Sequence, residues 1–333
     1  MTDFSALPDL ALRTLGGSVT AASDESFEEK ENLINPWAPR FSPETFGAKG
    51  QEYDGWETAR RRPDASGALG HDWAVVRLGL PGVIRGVVID TAWFKGNYPP
   101  HASVEACSVD GYPGPSDLTG WTEIVPKSPL QGDTVHEFKV DVDRRFTHVR
   151  LNMFPDGGIA RLRVHGEVVP DPRLLTGLTI DLAALENGAH VTECSNMFYS
   201  SPDNMLFPGH ARNQAEGWET ARRRDAGNDW AVVKLAAPGK IALAEFDTTN
   251  LKFNAPAAVA LSAQTPTGEW RELMPRTNLQ PDTRHRFRLD SDVEATHARI
   301  DIHPDGGLAR VRLLGTLTPA GEAALTSRYA SLT

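Results

Sequence analysis

Gly55-Trp56-Glu57-Thr58-Ala59-Arg60-Arg61-Arg62 occurs a second time, unchanged, as residues 217–224, and Asp-Trp-Ala-Val-Val follows each copy. A second motif repeats as well, because Pro155-Asp156-Gly157-Gly158 returns as residues 304–307. The separation between matching residues shortens along the chain, so the first copy carries insertions, the largest at residues 35–54. A repeat of this length indicates two tandem domains, since solenoid units are several times shorter.

The join between the copies is predicted near Val169. Pro170 and Pro172 follow it directly, and prolines disfavour regular structure and suit a linker. The predicted domains are therefore residues 1–169 and 170–333, both of ordinary domain size.

Strand signals dominate both copies. Short runs rich in Val, Ile, Thr and aromatic residues alternate with turn formers such as Pro-Gly and Asp-Gly. The strands predicted in the first copy are residues 73–78, 83–94, 102–109, 134–140, 146–153 and 159–165. The only predicted helices are short, at residues 7–15, 182–186 and 320–330. Several strands alternate apolar and polar residues, which predicts one buried and one wet face. This pattern favours an all-β fold with an antiparallel β-sandwich or jelly roll in each copy.

The composition and charge of the chain argue against some classes of binding partner. A net charge of −10 and a pI near 5.5 argue against nucleic-acid binding, so clustered arginines indicate a small anion held locally. Cys107 and Cys194 are not equivalent in the two copies, which predicts reduced thiols and neither a disulfide framework nor a zinc cluster. Residues 1–4 lack a signal-like pattern, and no run has the apolar length of a membrane helix. We therefore expect a cytoplasmic protein without a membrane partner.

The repeated block combines one carboxylate with three guanidinium groups. These are Glu57, Arg60, Arg61 and Arg62 in the first copy and Glu219, Arg222, Arg223 and Arg224 in the second. Arginine can grip a carboxylate through two parallel hydrogen bonds. A solvated segment with Glu–Arg ion pairs is the alternative. Retention of the block in both copies favours a function, although an ion-pair network at an interface stays open.

A lysine and an asparagine recur after one strand of each copy, as Lys95 with Asn97 and Lys252 with Asn254. Such a pair could polarise a carbonyl, although Lys-Asn is also common in turns. His101 and neighbouring aromatic residues occur in the first copy only, which favours the first copy as the catalytic one.

Further polar residues have structural interpretations beside chemical ones. His136, His285, His148 and His297 could carry protons, but single strand histidines are more often structural. Asp156 and Asp305 suit their turns for backbone reasons, and Arg161 and Arg310 could add to the cations. Asp301, His303 and Asp305 have a metal-like spacing that the first copy lacks, which favours a chance match.

Three long motifs occur in the same order: the block with Asp72-Trp73-Ala74-Val75-Val76, then residues 87–100 (VVIDTAWFKGNYPP), then residues 154–166 (FPDGGIARLRVHG). Together they resemble the allantoicase family over essentially the full length, including the duplication. The resemblance implies two jelly-roll domains of galactose-binding-like type, often in homo-oligomers, and hydrolysis of allantoate to ureidoglycolate and urea in purine breakdown. It implies no cofactor, and a metal requirement stays open.

The implied substrate gives the candidate residues roles. Allantoate carries one carboxylate, for which Arg61 or Arg62 is the predicted clamp. Glu57 is the predicted base, with Lys95 or His101 as acid or carbonyl polariser. The predicted substrate-binding residues are Arg60, Arg61, Arg62, Asn97, Arg161, Glu219, Arg222, Arg223 and Lys252. Two alternatives are a non-catalytic, carbohydrate-binding β-sandwich and a metal-dependent ureidohydrolase built on Asp301 and His303.

Overall fold

The computed structural model describes residues 4–333, so the start of the chain that the sequence analysis judged for a signal lies mostly outside the described residues. The chain divides into two compact units. One extends to Val169 and includes Leu332 and Thr333, and the other runs from Pro170 to Ser331.

Strands make up almost all of the regular secondary structure of the first unit. They are β1 (Ser18–Ala22), β2 (Phe46–Gly47), β3 (Gly50–Gln51), β4 (Trp56–Glu57), β5 (Asp72–Asp90), β6 (His101–Cys107), β7 (Thr122–Pro129), β8 (Val135–Lys139), β9 (Arg145–Phe154), β10 (Gly158–Ile159) and β11 (Arg161–Val168). Its 3₁₀ helices are Phe4–Ala6, Arg13–Leu15, Lys30–Ile34 and Pro115–Asp117.

The second unit repeats most of this order, with one additional strand at its start and without counterparts of β2 and β3. Its strands are β12 (Thr179–Asp181), β13 (His190–Cys194), β14 (Trp218–Glu219), β15 (Asp229–Asp247), β16 (Ala258–Gln264), β17 (Trp270–Asn278), β18 (Arg284–Arg288), β19 (Glu294–His303), β20 (Gly307–Leu308) and β21 (Arg310–Leu317). Its helices are the 3₁₀ helices Pro172–Leu174, Leu185–Asn187, Pro202–Leu206 and Gln214–Glu216 and the helix α1 (Pro319–Leu332). Within residues 4–333, no helix is long and apolar enough to cross a membrane.

The long strand β5 joins the two layers of the first sandwich. Its first half pairs with β1 and β9, and β9 continues through β6 to β7. Its second half pairs with β11 and β8, after a register shift in the pairing with β9 between Arg77 and Gly82. In the second unit β15 pairs with β13, β19, β21 and β18 in the same way. The prediction of an all-β fold with two tandem jelly-roll β-sandwiches is confirmed.

Three details of the sequence prediction are wrong. The break expected at Pro81–Gly82 is absent, because β5 continues through these residues with a shift in its register against β9. In β9 the face expected to be wet is mostly closed, since His148 and Asn152 are buried and Arg150 between them is half-buried. Residues 7–12 are not helical, so only Arg13–Leu15 remains of that predicted helix. The predicted C-terminal helix is present as α1, and a 3₁₀ turn at Leu185–Asn187 overlaps the one predicted at 182–186.

Candidate active site

The two repeated motifs of the first unit lie side by side. Strand β4 of the arginine block pairs antiparallel with β10 of the Pro-Asp-Gly-Gly turn, so that Glu57 faces Gly158. The backbone N–H of Thr58 donates to the Gly157 carbonyl, and the Gly157 N–H donates to the Thr58 hydroxyl. Motifs about a hundred residues apart in sequence therefore form one local structure.

The side chains of β4 alternate between the core and the site. Trp56 and Thr58 are buried, and the Trp56 indole N–H donates to the Asp24 carbonyl. Because successive side chains of an extended strand point in opposite directions, Glu57 projects away from this core. Its side chain is half-buried at the surface of the sandwich.

Asn97 holds one oxygen of the Glu57 carboxylate. The Asn97 side-chain amide donates to Glu57 Oε1 at 2.8 Å, while the Asn97 carbonyl accepts from the Gly158 N–H at 2.7 Å. The turn approaches closely, since a Cβ on Gly157, whose φ is +144°, would lie 2.8 Å from the Asn97 carbonyl oxygen. The turn thus positions the amide that orients the glutamate.

Phe94 packs into the gap between the two motifs. A Cβ added to Gly158 would lie 2.1 Å from its ring, and one added to Gly55 would lie 2.6 Å from it. Both positions need glycine, because backbone and ring leave no space for a side chain.

The surroundings of Glu57 raise the pKa of its carboxyl group. Burial raises the pKa of Glu57, the hydrogen bond from Asn97 lowers it, and the negative charge of Glu28 raises it further. Glu28 is also the backbone bridge partner of Glu57. Burial, and then repulsion by Glu57, raise the pKa of the Tyr53 phenol. Glu57 is therefore electrostatically coupled to one acid and one phenol.

Glu28 and Tyr53 also line a cleft of about 730 Å³. Its other walls come mainly from the insertion at residues 35–54, with Arg40 and Lys49 as cationic groups. The Tyr53 ring stacks between Phe41, at 5.0 Å, and Phe94, at 4.8 Å, between ring centroids. The Tyr53 N–H donates to Glu28 Oε1 at 3.0 Å, which ties the insertion to the strand segment beside Glu57.

Arg161 anchors this insertion from below. Its side chain is 1% exposed and donates to the carbonyls of Trp37, Asp54 and Ala160. A further N–H group lies 2.7 Å from Asp54 Oδ1 as an ion pair. The geometry gives Arg161 a role in holding the cleft, without an open face toward a ligand.

The three arginines of the block have different surroundings. Arg61 lies 3.4 Å from the buried Asp72 carboxylate, and its backbone N–H donates to Asp156. Arg60 and Arg62 are exposed, and neither forms a hydrogen bond or an ion pair with any residue between 4 and 333. The block therefore presents two unpaired guanidinium groups, although it does not line the cleft.

Lys95 and His101 are not joined to Glu57. The Lys95 ammonium lies 3.9 Å from Asp133, and its side chain is 72% exposed. His101 is half-buried at the start of β6 and faces Phe154 in the register of the sheet. In the described part of the chain, neither forms a hydrogen bond or an ion pair with Glu57.

The second unit holds a matching glutamate in a closed arrangement. Glu219 faces Gly307, and one carboxylate oxygen accepts from the Asn254 amide, as Glu57 does from Asn97. The other oxygen accepts from the Gln214 amide at 2.6 Å.

In the second unit too, the middle arginine of the block forms ion pairs and the other two are exposed. Arg223 pairs with the buried Asp229 and with Asp225, whereas Arg222, Arg224 and Lys252 are exposed.

The strand histidines have structural partners. His136 Nε2 accepts from the Gln131 N–H, and its Nδ1 contacts the Ile89 carbonyl. His285 repeats both contacts in the second unit. His148 is buried, and burial, followed by the charge of Arg77, lowers its pKa to about 4.

The metal-like trio of the second unit does not converge. Asp301 pairs with Arg299 and accepts from Asn228, while Asp305 accepts from the Arg223 N–H. Across residues 4–333, no three His, Cys, Asp or Glu side chains are grouped to hold one ion.

Sequence reasoning missed Glu28 and Tyr53. Glu28 lies far before the block in the chain and is brought beside Glu57 only by the fold, whereas Tyr53 lies just before the block, at the end of the insertion. The available signal was the insertion at residues 35–54 itself, because the second copy lacks an equivalent of that length.

The family model for the allantoicase repeat matches this chain twice, at residues 8–169 and 180–318. The chain belongs to the allantoicase family. A probable allantoicase of Nocardia farcinica is 57% identical over 94% of this chain and 95% of its own length. An allantoicase of Dictyostelium discoideum is 42% identical over 90% of this chain and 84% of its own length.

A solved structure extends this similarity to the fold. Allantoicase from Saccharomyces cerevisiae is 35% identical, superposes with a TM-score of 0.78, and covers 93% of this chain and 94% of that one. The two motifs that meet at Glu57 lie within the first match to the allantoicase repeat, and those at Glu219 lie within the second.

Proposed function

We propose that this chain hydrolyses allantoate to ureidoglycolate and urea at the site around Glu57. The reaction is that of its family, and it belongs to purine degradation. One observation supports the location: Glu57 is a half-buried carboxylate that Asn97 holds through a single oxygen. Within residues 4–333, no side chain hydrogen bonds to its second oxygen, and Glu28, the backbone bridge partner of Glu57, lines a cleft.

Glu57 acts as the base in this proposal. Hydrolysis forms a bond from water oxygen to the central carbon of allantoate and breaks the bond from that carbon to one ureido nitrogen. Glu57 takes a proton from the water, and an acid supplies a proton to the departing urea nitrogen. Because burial and Glu28 raise the pKa of Glu57, the carboxylate is a stronger base than an exposed glutamate.

Lys95 and His101 are the acids proposed from the sequence. Tyr53 is a third candidate, because this residue lines the cleft and the raised pKa of its phenol keeps it protonated. Replacing each by a residue without a labile proton, as in Lys95→Met, His101→Leu and Tyr53→Phe, separates them. The acid is the residue whose loss lowers kcat and removes the basic limb of the pH profile.

The substrate carboxylate needs a cation. Arg60 and Arg62 are unpaired with the described residues and thus available, whereas Arg61 already neutralises Asp72. Arg40, on the wall of the cleft, is a further candidate. Replacement of the true clamp should raise KM for allantoate far more than it lowers kcat.

The deciding experiment is urea release from allantoate by Glu57→Gln. This variant keeps a side chain of the same size that can hydrogen bond to Asn97, but it cannot accept a proton. We expect kcat to fall by about 10²- to 10⁴-fold with little change in substrate binding. Near-normal turnover would remove Glu57 from the mechanism, and Glu219→Gln is the matched control in the other repeat.

Cytoplasmic location and homo-oligomer formation also remain proposals. Cys107 and Cys194 are unpaired, which suits a reducing compartment. Met197, Phe198 and Tyr199 form an exposed apolar run, of the kind that often becomes buried between subunits. Sedimentation of the purified protein measures the assembly directly.

A further inference from the structure

The two matching glutamates differ at one carboxylate oxygen. Asn254 donates to one oxygen of Glu219, as Asn97 does to Glu57. The second oxygen of Glu219 accepts from the Gln214 amide at 2.6 Å. The second oxygen of Glu57 accepts from no side chain between residues 4 and 333.

Gln214 comes from the segment that replaces the insertion of the first repeat. The insertion at residues 35–54 supplies most of the wall of the open cleft, whereas the shorter segment 207–216 brings Gln214 into contact with Glu219. A 3₁₀ turn, Gln214–Glu216, ends this segment, and the Asn213 side chain caps it by accepting from the Ala215 N–H. The turn fixes the backbone from which the glutamine reaches the carboxylate.

The Gln214 side chain ends in a carbonyl and an NH₂ group, the same pair of groups that ends a ureido substituent. We propose that Gln214 occupies a latent ureido-binding site in the second repeat, and that the open oxygen of Glu57 receives a ureido N–H of the substrate in the first. The second half of this inference rests on the proposed function, because it takes the Glu57 site to be the allantoate site.

Gln214 acts as a tethered competitor. It lies five residues from Glu219, and a group on so short a tether competes at an effective concentration of about millimolar or more. A free ureido ligand that binds the Glu219 carboxylate more weakly than this tethered amide does not displace Gln214. Since Gln214 is exposed, its removal frees the carboxylate oxygen without leaving a cavity in the core.

An opened second site would differ from the first in its other residues. Ser200 is the bridge partner of Glu219, in the position that Glu28 has beside Glu57. The second acidic group of the first repeat is therefore replaced by a hydroxyl, which donates to the Gly217 carbonyl. Binding, rather than turnover, is the property that the opened site should gain.

Titration calorimetry of the full chain with N-carbamoylglycine tests this. The probe carries one carboxylate and one ureido group, as allantoate does on its central carbon. Gln214→Ala should bind one more molecule per chain than the parent, and Gln214→Ser should do the same. Adding Glu219→Ala to either variant should remove the extra site, and Gln131→Ala, at another exposed glutamine, should leave the number unchanged.

An unchanged number of sites in both Gln214 variants, at an unchanged Tm, would overturn the inference. The measured quantity is the difference between variant and parent in the number of bound molecules per chain, which does not depend on catalytic turnover. Failure of the proposed function would appear instead as absent urea release or as full activity of Glu57→Gln, so the two outcomes are distinct.

Discussion

The repeated block divides its work between alternate residues. Trp56 and Thr58 hold the strand against the core, and Glu57 between them is free to face the site. Arg61 neutralises the buried Asp72, while its neighbours Arg60 and Arg62 stay exposed. About half of the repeated block, whose sequence suggests only a catalytic or binding role, therefore stabilises the fold.

Glu28→Gln should shift the acidic limb of the pH profile of kcat/KM to lower pH. The negative charge of Glu28 raises the pKa of Glu57, and a base works only in its deprotonated form. Removing this charge lowers the pKa, so Glu57 stays active at lower pH. A pH–rate profile of both proteins measures the shift, and an unchanged or upward-shifted limb would contradict it.

Arg61→Ala should destabilise the protein, whereas Arg62→Ala should not. Loss of Arg61 leaves the Asp72 carboxylate, whose side chain is 3% exposed, without its cation. We expect a cost of about 1–3 kcal/mol for the first variant and at most about 0.5 kcal/mol for the second. Denaturant unfolding compares them, and equal values would argue against the Arg61–Asp72 pair.

Acid should destabilise the protein through His148. Its pKa is about 4 in the folded chain and near 6.5 when unfolded, so the unfolded chain binds the proton first as the pH falls. The stability contributed by neutral His148 is complete above that upper value and is lost as the pH approaches the lower one. Between about pH 7 and 5 we expect a loss of about 2 kcal/mol, absent in His148→Leu. Unfolding at several pH values gives the difference.

At the level of elements, periodicity predicted most strands but misjudged their continuity. Pro81 and Gly82 read as a turn, yet β5 passes through them because its two halves pair with different partners. No local pattern contains that information, since the partners lie far away in sequence. The pairing of β4 with β10 is equally nonlocal, although the duplication of both motifs indicated their importance.

The sequence predicted those residues of the candidate site that recur in both copies, but not those that occur in one copy only. Glu57 and Asn97 were named from their recurrence, and the structure places them 2.8 Å apart. Lys95 was named from its recurrence as Lys252, and His101 from its presence in the first copy only, but both have other neighbours than Glu57. Tyr53 and Glu28 are not retained in the second repeat, where Ser200 takes the position of Glu28, so comparison of the copies could not select them.

Arg161→Met should loosen the insertion and the cleft together. Removing the guanidinium leaves Asp54 without its ion pair and frees the Trp37 carbonyl. A stability loss of about 3 kcal/mol is expected for breaking such a buried pair. Limited proteolysis should show earlier cleavage within residues 35–54, together with lower urea release. The exposed Arg276→Met serves as control, and an equally protected insertion would refute the anchor.

At the scale of the whole molecule, we propose residues 1–169 and 170–333 as the two domains. Arg173 and Leu174 are exposed just beyond the proposed junction, on a short 3₁₀ helix. Proteolysis of the intact chain should cut there first and give two fragments of nearly half the chain. Early cleavage inside β5 or β15 would instead indicate that the units do not correspond to stable domains.

Phe94 constrains any exchange of segments between the two repeats. Its ring fills the room that Gly55 and Gly158 leave empty, and the second repeat has the smaller Leu251 beside Gly307. Grafting the turn of one copy onto the other would therefore place the Phe94 ring in a space shaped for leucine, or leave a cavity around Leu251 in a space shaped for phenylalanine. Chimaeras should exchange the ring and both flanking glycine turns as a single cassette.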